Sequence, residues 1–308
     1  MISQLIKKLL FLPITLFLVC TITFFLVRFT PGGPFSNERA MDPATAQMMA
    51  KKFRLDIPLG QQYVLFLSDL LRGDLGPSYR NKAYSVNEII FRHLPVSTYL
   101  GCCALLIAIT MGIAMGIIAA LYHRSHLDMI TMSLSVIGLS CPGFVIGPML
   151  QWLFSMRWTI LPTAGYEGPF EGRFLILPAI TLALPFAARI ARLTRSGLLD
   201  VLHQDYITTA RAKGLSETRI IVFHALKGAL LPVVSYLGPA FAGVTTGTLV
   251  VERVFQIPGL GREFVESALN RDYTLVMGTV LVYGSFIIIF NLLFDLIAAW
   301  LNPRLRGS

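Results

Sequence analysis

The sequence predicts an all-α, polytopic membrane protein with six transmembrane helices. Of its 308 residues, 55% are hydrophobic and only 14% charged, against about 25% charge in a soluble domain. Its mean hydropathy is +0.66. Apolar runs of the roughly 20 residues needed to cross a bilayer recur near 9–28, 97–122, 129–154, 174–194, 230–251 and 274–300.

The first run follows Lys7 and Lys8, and no small-residue cleavage site precedes Arg28-Phe29-Thr30-Pro31, so residues 1–30 read as a retained anchor helix rather than a signal peptide. Residues 31–95 form the one stretch large enough for an extracytoplasmic unit. Within it Tyr63, Phe66, Leu67, Leu70 and Leu71 recur at helical spacing, which predicts an amphipathic helix lying on the membrane or on a partner. Arg72-Gly73-Asp74 reads as that helix's end and a turn, not as an adhesion motif.

Residues 96–300 hold the other five spans, interrupted by a polar loop at 195–229, and 301–308 form a short tail. Pro178 and Pro185 predict a kinked fourth span. The fifth is rich in Gly, Ala, Ser and Thr, which suits a helix packed inside a bundle or lining a pathway, and Thr245, Thr246 and Gly247 are its pathway candidates. The last, broken only by Asn291 and Asp295, suits lipid. Gly112-x-x-x-Gly116, Gly143-x-x-x-Gly147 and Gly243-x-x-x-Gly247 match the small-residue contact pattern of helix bundles. Glu252, Arg271 and Asp272 flank the outer ends of the last two spans; they read as gate or interface ion pairs, or more plainly as solvated boundary residues.

Six spans place both termini on one side. A plain count of Lys and Arg puts 14 of 26 on the far side, but nine of those lie in the long loop Arg28–Arg92, and long loops translocate largely regardless of charge. The short loops favour Lys7, Lys8, Arg124, the cluster from Arg189 to Lys227, Arg304 and Arg306 inside. The net charge of +9 is then a topology signal with some attraction to anionic lipid, and nucleic acid is not an expected partner. Cys20, Cys102, Cys103 and Cys141 lie in or beside apolar runs without metal-ligand spacing and read as small buried residues.

Motifs for chemistry are missing. There is no GxxxxGK[ST] loop, HExxH pair or GxSxG elbow, and Gly259-Leu260-Gly261 lacks the Lys and the preceding strand of a phosphate loop. Neither a catalytic residue nor a bound cofactor is expected.

The polar segment Asp205–Lys227 carries six charges. Each disfavours burial at mid-membrane by about 2.5–3.5 kcal/mol, so the segment faces water. A short helix over Asp205–Lys213 would be capped by Gly214 in a left-handed conformation, with Leu215 folding back onto it. Ser216 would cap a second helix from Glu217 to Leu226. Ala210 and Ala212 would allow close approach to a partner, Arg211 and Lys213 would pair with its acidic groups, and His224 reads as a polar surface residue.

Around Gly214 the sequence resembles the membrane-spanning permease subunits of ATP-binding-cassette (ABC) importers. Their loop carries Glu-Ala-Ala, three residues, Gly, nine residues, then Ile-x-Leu-Pro. Here Thr208-Thr209-Ala210 occupies the first positions, and His224-Ala225-Leu226-Lys227 follows Gly214 at the same spacing. The departures resemble the oligopeptide/dipeptide branch of the family. So do Arg72-Gly73-Asp74-Leu75-Gly76-x-Ser78, Phe255-x-Ile257-Pro258-Gly259-Leu260-Gly261, Asn270-Arg271-Asp272-Tyr273 and Asn302-Pro303-Arg304.

The resemblance implies a type I ABC-importer permease (MetI-like) fold, in a bacterial inner membrane, with both termini cytoplasmic. It implies a second permease subunit, two cytoplasmic ATPases that bind ATP and Mg, and an extracytoplasmic solute-binding protein. Tyr206, Thr208, Thr209, Ala210, Arg211, Ala212, Lys213, Gly214, Leu215, His224 and Leu226 would form the ATPase-coupling loop. Peptides are the implied cargo, with nickel or another small solute as the alternative. An ion-coupled secondary transporter would more usually show repeats paired across two halves, and the sequence lacks them.

Overall fold

The computed structural model describes residues 2–30, 43–81, 83–168 and 172–301. In order the helices are α1 (Ile2–Phe29), α2 (Pro43–Lys52), α3 (Leu59–Leu71), α4 (Val86–Leu121), α5 (His126–Ser140), α6 (Gly143–Leu150), α7 (Arg173–Leu202), α8 (Asp205–Ala212), α9 (Glu217–Arg219), α10 (Leu226–Ala229), α11 (Leu231–Val254), α12 (Leu260–Leu269) and α13 (Tyr273–Leu301). Wider π-type turns extend α6 over Gln151–Arg157 and join α9 to α10 over Ile220–Ala225. The tail motif Asn302-Pro303-Arg304, with Arg306, lies outside the described residues.

Among the described residues, α1, α4, α7, α11 and α13 are each long and apolar enough to cross a membrane, and α5 with α6 makes a sixth crossing if the pair counts as one span. That third span is not the straight helix its apolar run suggests. It bends by 109° at Cys141-Pro142, because Pro142 has no N–H to continue the ladder and holds Cys141 in an extended conformation (ψ 121°).

Local signals set the other ends. Ser85 caps α4 by accepting from the Glu88 N–H, while Glu88 accepts from the Ser85 N–H at 2.7 Å. At 36 residues α4 is about 54 Å long, so its ends project beyond the roughly 30 Å hydrocarbon. The amphipathic α3 packs on α1: Tyr63 shares a 2.7 Å hydrogen bond with Thr21, and the Phe24 and Phe66 rings stack at 5.4 Å.

The centre of the bundle is α7. In its most apolar stretch 61% of residues are buried, against 47% in α11 and 11% in α13. The lipid-like character expected of the last span holds, but the most interior helix is the fourth and not the fifth. α7 continues through Pro178 and Pro185 and is gripped where neighbouring backbones come close. A Cβ on Gly112 of α4 would lie 2.7 Å from the Ala187 carbonyl and 2.7 Å from Ile190 Cβ; one on Gly116 would lie 2.6 Å from the Ala191 carbonyl. Only glycine permits that approach. The other two small-residue pairs also sit at contacts, Gly147 against Val254 and Phe255, and Gly243 against the Phe186 ring.

Polar interruptions have packing roles as well. Asn291 of α13 faces Gly238 of α11, and Asp295 is exposed farther along α13. All four cysteines are free; Cys20 is buried, whereas Cys102 is exposed, contrary to the expectation of burial. Gly112→Val should disrupt the α4–α7 seam and lower stability by about 3 kcal/mol or more, in the upper range for overpacking a tight site. Gly172→Val, with open space around it, is the control. Thermal unfolding in detergent that leaves both variants at wild-type stability would contradict the seam.

Candidate functional site

The polar corner after α7 is built as a Schellman turn. Gly214 has φ +76°, its N–H donates to the Arg211 carbonyl at 2.9 Å, and the Leu215 N–H reaches back to the Ala210 carbonyl at 3.4 Å. Leu215 then packs into an apolar cluster of Ile207, Ala210, Ile220, Ala225 and Ala229 with Ala120, Leu198 and Val201. Since Ala120 ends α4 and Leu198 and Val201 end α7, the corner is bolted to both helices.

Within α8, Ile207 and Ala210 face inward, while Asp205, Tyr206, Thr208, Thr209, Arg211 and Ala212 are exposed, as are Lys213 and Gly214. Three expectations change. Ala210 is buried within its own chain, because the Schellman turn folds the helix end onto the bundle; only Ala212 remains for close approach. Arg211 is engaged by Glu217 of α9, Nε to Oε1 at 2.7 Å and Nη2 to Oε2 at 3.3 Å, so it braces the corner. Ser216 starts α9 in an extended conformation but makes no side-chain capping bond.

The second helix also differs from expectation. After one turn it widens into the π-type segment Ile220–Ala225, which leaves Val222 48% and Phe223 71% exposed beside Tyr206 at 44%. These two residues went unnoticed in the sequence; large apolar residues inside an otherwise charged segment were the available signal. His224 is partly exposed, its Nδ1 3.4 Å from the Arg219 carbonyl, and Leu226 is half-buried.

Glu217 is fully exposed, and its hydrogen bonds from Arg211 lower its pKa. A depressed carboxylate pKa means that the brace is complete above the ordinary Glu value of about 4.3 and is lost as pH falls through the lower one. Nothing in it titrates near neutrality.

On the neighbouring inner loop, Asp128 is buried at the start of α5 and paired bidentately with Arg195 of α7, at 2.7 and 2.8 Å, while the Arg124 N–H donates to it at 3.0 Å. It ties α5 to the same end of α7.

The outer candidates form a second assembly, and here the boundary-residue reading fails. Glu252 is fully buried and Asp272 is 1% exposed. The Glu252 carboxylate accepts from Ser97 Oγ of α4 at 2.5 Å and from the Arg262 N–H at 3.0 Å, with a further bond from the Gly261 N–H. It therefore sits on the exposed donors at the N-terminus of α12. Ser97 in turn accepts from the Leu260 N–H at 2.8 Å, and His93 holds the Pro258 carbonyl at 2.9 Å. Gly259 and Gly261 leave the room: a Cβ on either would overlap the carboxylate.

Asp272 accepts from the Tyr79, Arg80 and Leu275 N–H groups at 3.1–3.2 Å and from Ser78 Oγ. Arg80 Nε donates to the Asn270 carbonyl at 2.9 Å, and Thr274 Oγ1 to the Pro77 carbonyl at 2.7 Å. Arg271 takes the left-handed position (φ 57°) at the end of α12. Three motifs far apart in sequence thus dock into one outer lock.

Of the threonines, Thr245 is buried toward Gly101 of α4, with its hydroxyl bonded to the Phe241 and Ala242 carbonyls, because the α4 contact claims that side of α11. It lines no surface. Thr246 is half-buried on the adjoining side, and the Gly247 side of the helix lies outside the described residues. Among the described residues no group of three or more His, Cys, Asp or Glu is placed to hold a metal.

Membrane-length helices in one bundle, with a polar corner bolted to one end, are the architecture of a multi-pass membrane protein. The model of the family of binding-protein-dependent transport system inner membrane components matches residues 112–307, and the chain belongs to that family. It is a multi-pass, non-catalytic component of an ABC importer.

Among relatives, it is 44% identical over 306 residues to the oligopeptide transport system permease protein OppB of Haemophilus influenzae, covering 99% of this chain and 100% of that one. It is 42% identical to OppB of Salmonella typhimurium, over 95% of each, and 41% identical to the dipeptide transport system permease protein DppB of Bacillus subtilis, over 99% and 98%. The fold is that of an inward-facing MetNI methionine ABC transporter (TM-score 0.55, 16% identity, 70% of this chain and 96% of that one) and of an amino acid ABC transporter with histidines (TM-score 0.54, 16% identity, 70% and 94%).

Glu252→Ala would leave Ser97 and two helix N-terminal amides without their acceptor and should cost about 3 kcal/mol. Glu263→Ala, which removes a partly exposed carboxylate 3.7 Å from His93, should cost under about 1 kcal/mol. Equal melting temperatures for the two variants in detergent would contradict the outer lock.

Proposed function

We propose that this chain, with a second permease subunit, forms the path by which oligopeptides or dipeptides enter a bacterial cell through its inner membrane. Two cytoplasmic ATPases bind ATP and Mg and drive it, and an extracytoplasmic solute-binding protein delivers the peptide. Both termini are cytoplasmic. Near-full-length relatives named as oligopeptide and dipeptide permeases support the cargo.

The observation that carries the mechanism is the corner at Gly214. Helix α8 exposes Tyr206, Thr208, Thr209, Ala212 and Lys213, and the π-type segment packed against it exposes Val222 and Phe223. An exposed aromatic framed by polar groups is how protein interfaces anchor. That surface seats on an ATPase, and the apolar cluster behind it passes the push into the ends of α4 and α7. Closure of the ATPases then moves the permeases between inward-open and outward-open states.

Gly214→Val places a β-branched residue at positive φ, a strain of about 1–2 kcal/mol or more. In proteoliposomes holding the complete transporter, ATP hydrolysis should persist while peptide uptake falls at least about tenfold. Unchanged uptake would overturn the coupling role. Phe223→Ser should weaken recovery of the ATPases with the permease during purification while leaving the permease's own melting temperature unchanged.

A further inference from the structure

Arg189 lies in α7, in the stretch Arg173–Leu202 that is long and apolar enough to cross a membrane. It is nevertheless on the chain's surface. A charged side chain at membrane depth turns toward protein or a water-filled cavity rather than lipid.

The same helix offers a contrast. Arg195 is saturated by the bidentate Asp128 carboxylate. Among the described residues, the contact given for Arg189 is with Tyr236 of α11, whose ring centroid is 5.4 Å from its Cζ. That contact orients the guanidinium and leaves most of its five N–H donors available.

The backbone beside it is also unusual. Pro185 precedes Arg189 by one turn within α7, and Pro239 follows Tyr236 within α11. Pro239 has no N–H, so the Ser235 carbonyl lacks its helical donor. Both Ser235 and Pro239 are exposed. At membrane depth such a carbonyl is tolerated where it is buried in protein or lines water, and the exposure of both residues fits the second setting. A surface cation of α7 thus lies against Tyr236 of α11, the residue next to a carbonyl that lacks its helical donor.

We propose that this face lines the aqueous path and that Arg189, braced by Tyr236, receives the terminal carboxylate of the passing peptide. The inference rests on the reading of the chain as a peptide permease. The guanidinium fork matches a carboxylate bidentately, and the Ser235 carbonyl can accept a peptide N–H. A carboxylate terminus is common to peptides of every length and sequence, so the contact is indifferent to side chains.

Two experiments on the complete transporter, with its binding protein and ATPases in proteoliposomes, decide it. In the first, uptake of a tripeptide and of its C-terminal amide is measured for wild type, Arg189→Gln and Arg189→Lys. Arg189→Gln should lower uptake of the free acid at least tenfold and of the amide less than twofold, and Arg189→Lys should recover most of the loss. Equal transport of the free acid by Arg189→Gln and wild type, or equal loss of both peptides in both variants, overturns the proposal.

In the second, Ser235→Cys, which keeps Arg189 in place, is made in a chain whose four cysteines are replaced by alanine. A charged, water-soluble thiol reagent should modify it, and added peptide should slow the reaction at least threefold. No reaction in either the nucleotide-free or the ATP-trapped state would mean that the residue packs on the second permease or lies in lipid, and overturns the proposal. Reaction without protection, in a wild-type transporter that takes up neither peptide, rejects the peptide reading and the carboxylate assignment while leaving the water-facing position established.

Discussion

The backbone contact between α4 and α7 is the constraint on which the rest of the structure depends. In lipid, helices gain little by hiding apolar surface from one another, because the tails are as apolar as leucine; close packing has to hold them instead. Gly112 and Gly116 let α4 approach the Ala187 and Ala191 carbonyls, and farther down α7 Gly197 receives the Ala229 backbone. α7 therefore touches its neighbours by backbone along more than one face. Side-chain rearrangement alone cannot loosen such a seam, so α4, α7 and the corner helices behave as one body.

Each end of that body is closed by a different kind of polar contact. Outside, Glu252 and Asp272 act as buried acceptors for helix N-termini and for Ser78–Arg80, collecting donors that would otherwise be unpaired in a dry environment. Inside, the Asp128–Arg195 pair fixes α5, and the Schellman turn at Gly214 fixes α8. The outer contacts are mainly single carboxylates facing amides and hydroxyls, so they need no second charge from another element. The Asp128–Arg195 contact differs in pairing a buried carboxylate with a partly exposed guanidinium, so each charge has an opposite one to compensate its desolvation.

Much of this was legible in the sequence, and what was missed has physical causes. The spans follow from apolar run length, and the corner from Gly214, whose left-handed conformation is the commonest signal of a helix end. The 109° break at Cys141-Pro142 had its proline in plain view, but an apolar run on both sides disguised it as continuous. The burial of Glu252 and Asp272 was not legible, since an acidic residue at the end of an apolar run looks the same whether it meets water or a helix N-terminus. Its partners decide, and Ser78 is 194 residues from Asp272. The still deeper burial of α7 was not legible for a related reason: its small side chains are alanines spaced among its charges, whereas those of the fifth span stand together.

The placement of charge along α7 connects these features. Its buried face carries Ala183, Ala187, Ala191 and Thr194, small side chains that admit α4, and its exposed face carries Arg189, Arg192, Ser196 and Asp200. The small face and the polar face lie on opposite sides of one helix. Because the small face is locked to α4 over its length, α7 cannot rotate to hide its polar face when the protein changes state. Exposure of that face must instead be governed by whatever approaches it from outside the chain. A force applied at α8 would therefore meet a rigid polar wall, and would translate or tilt that wall as a unit rather than refold it.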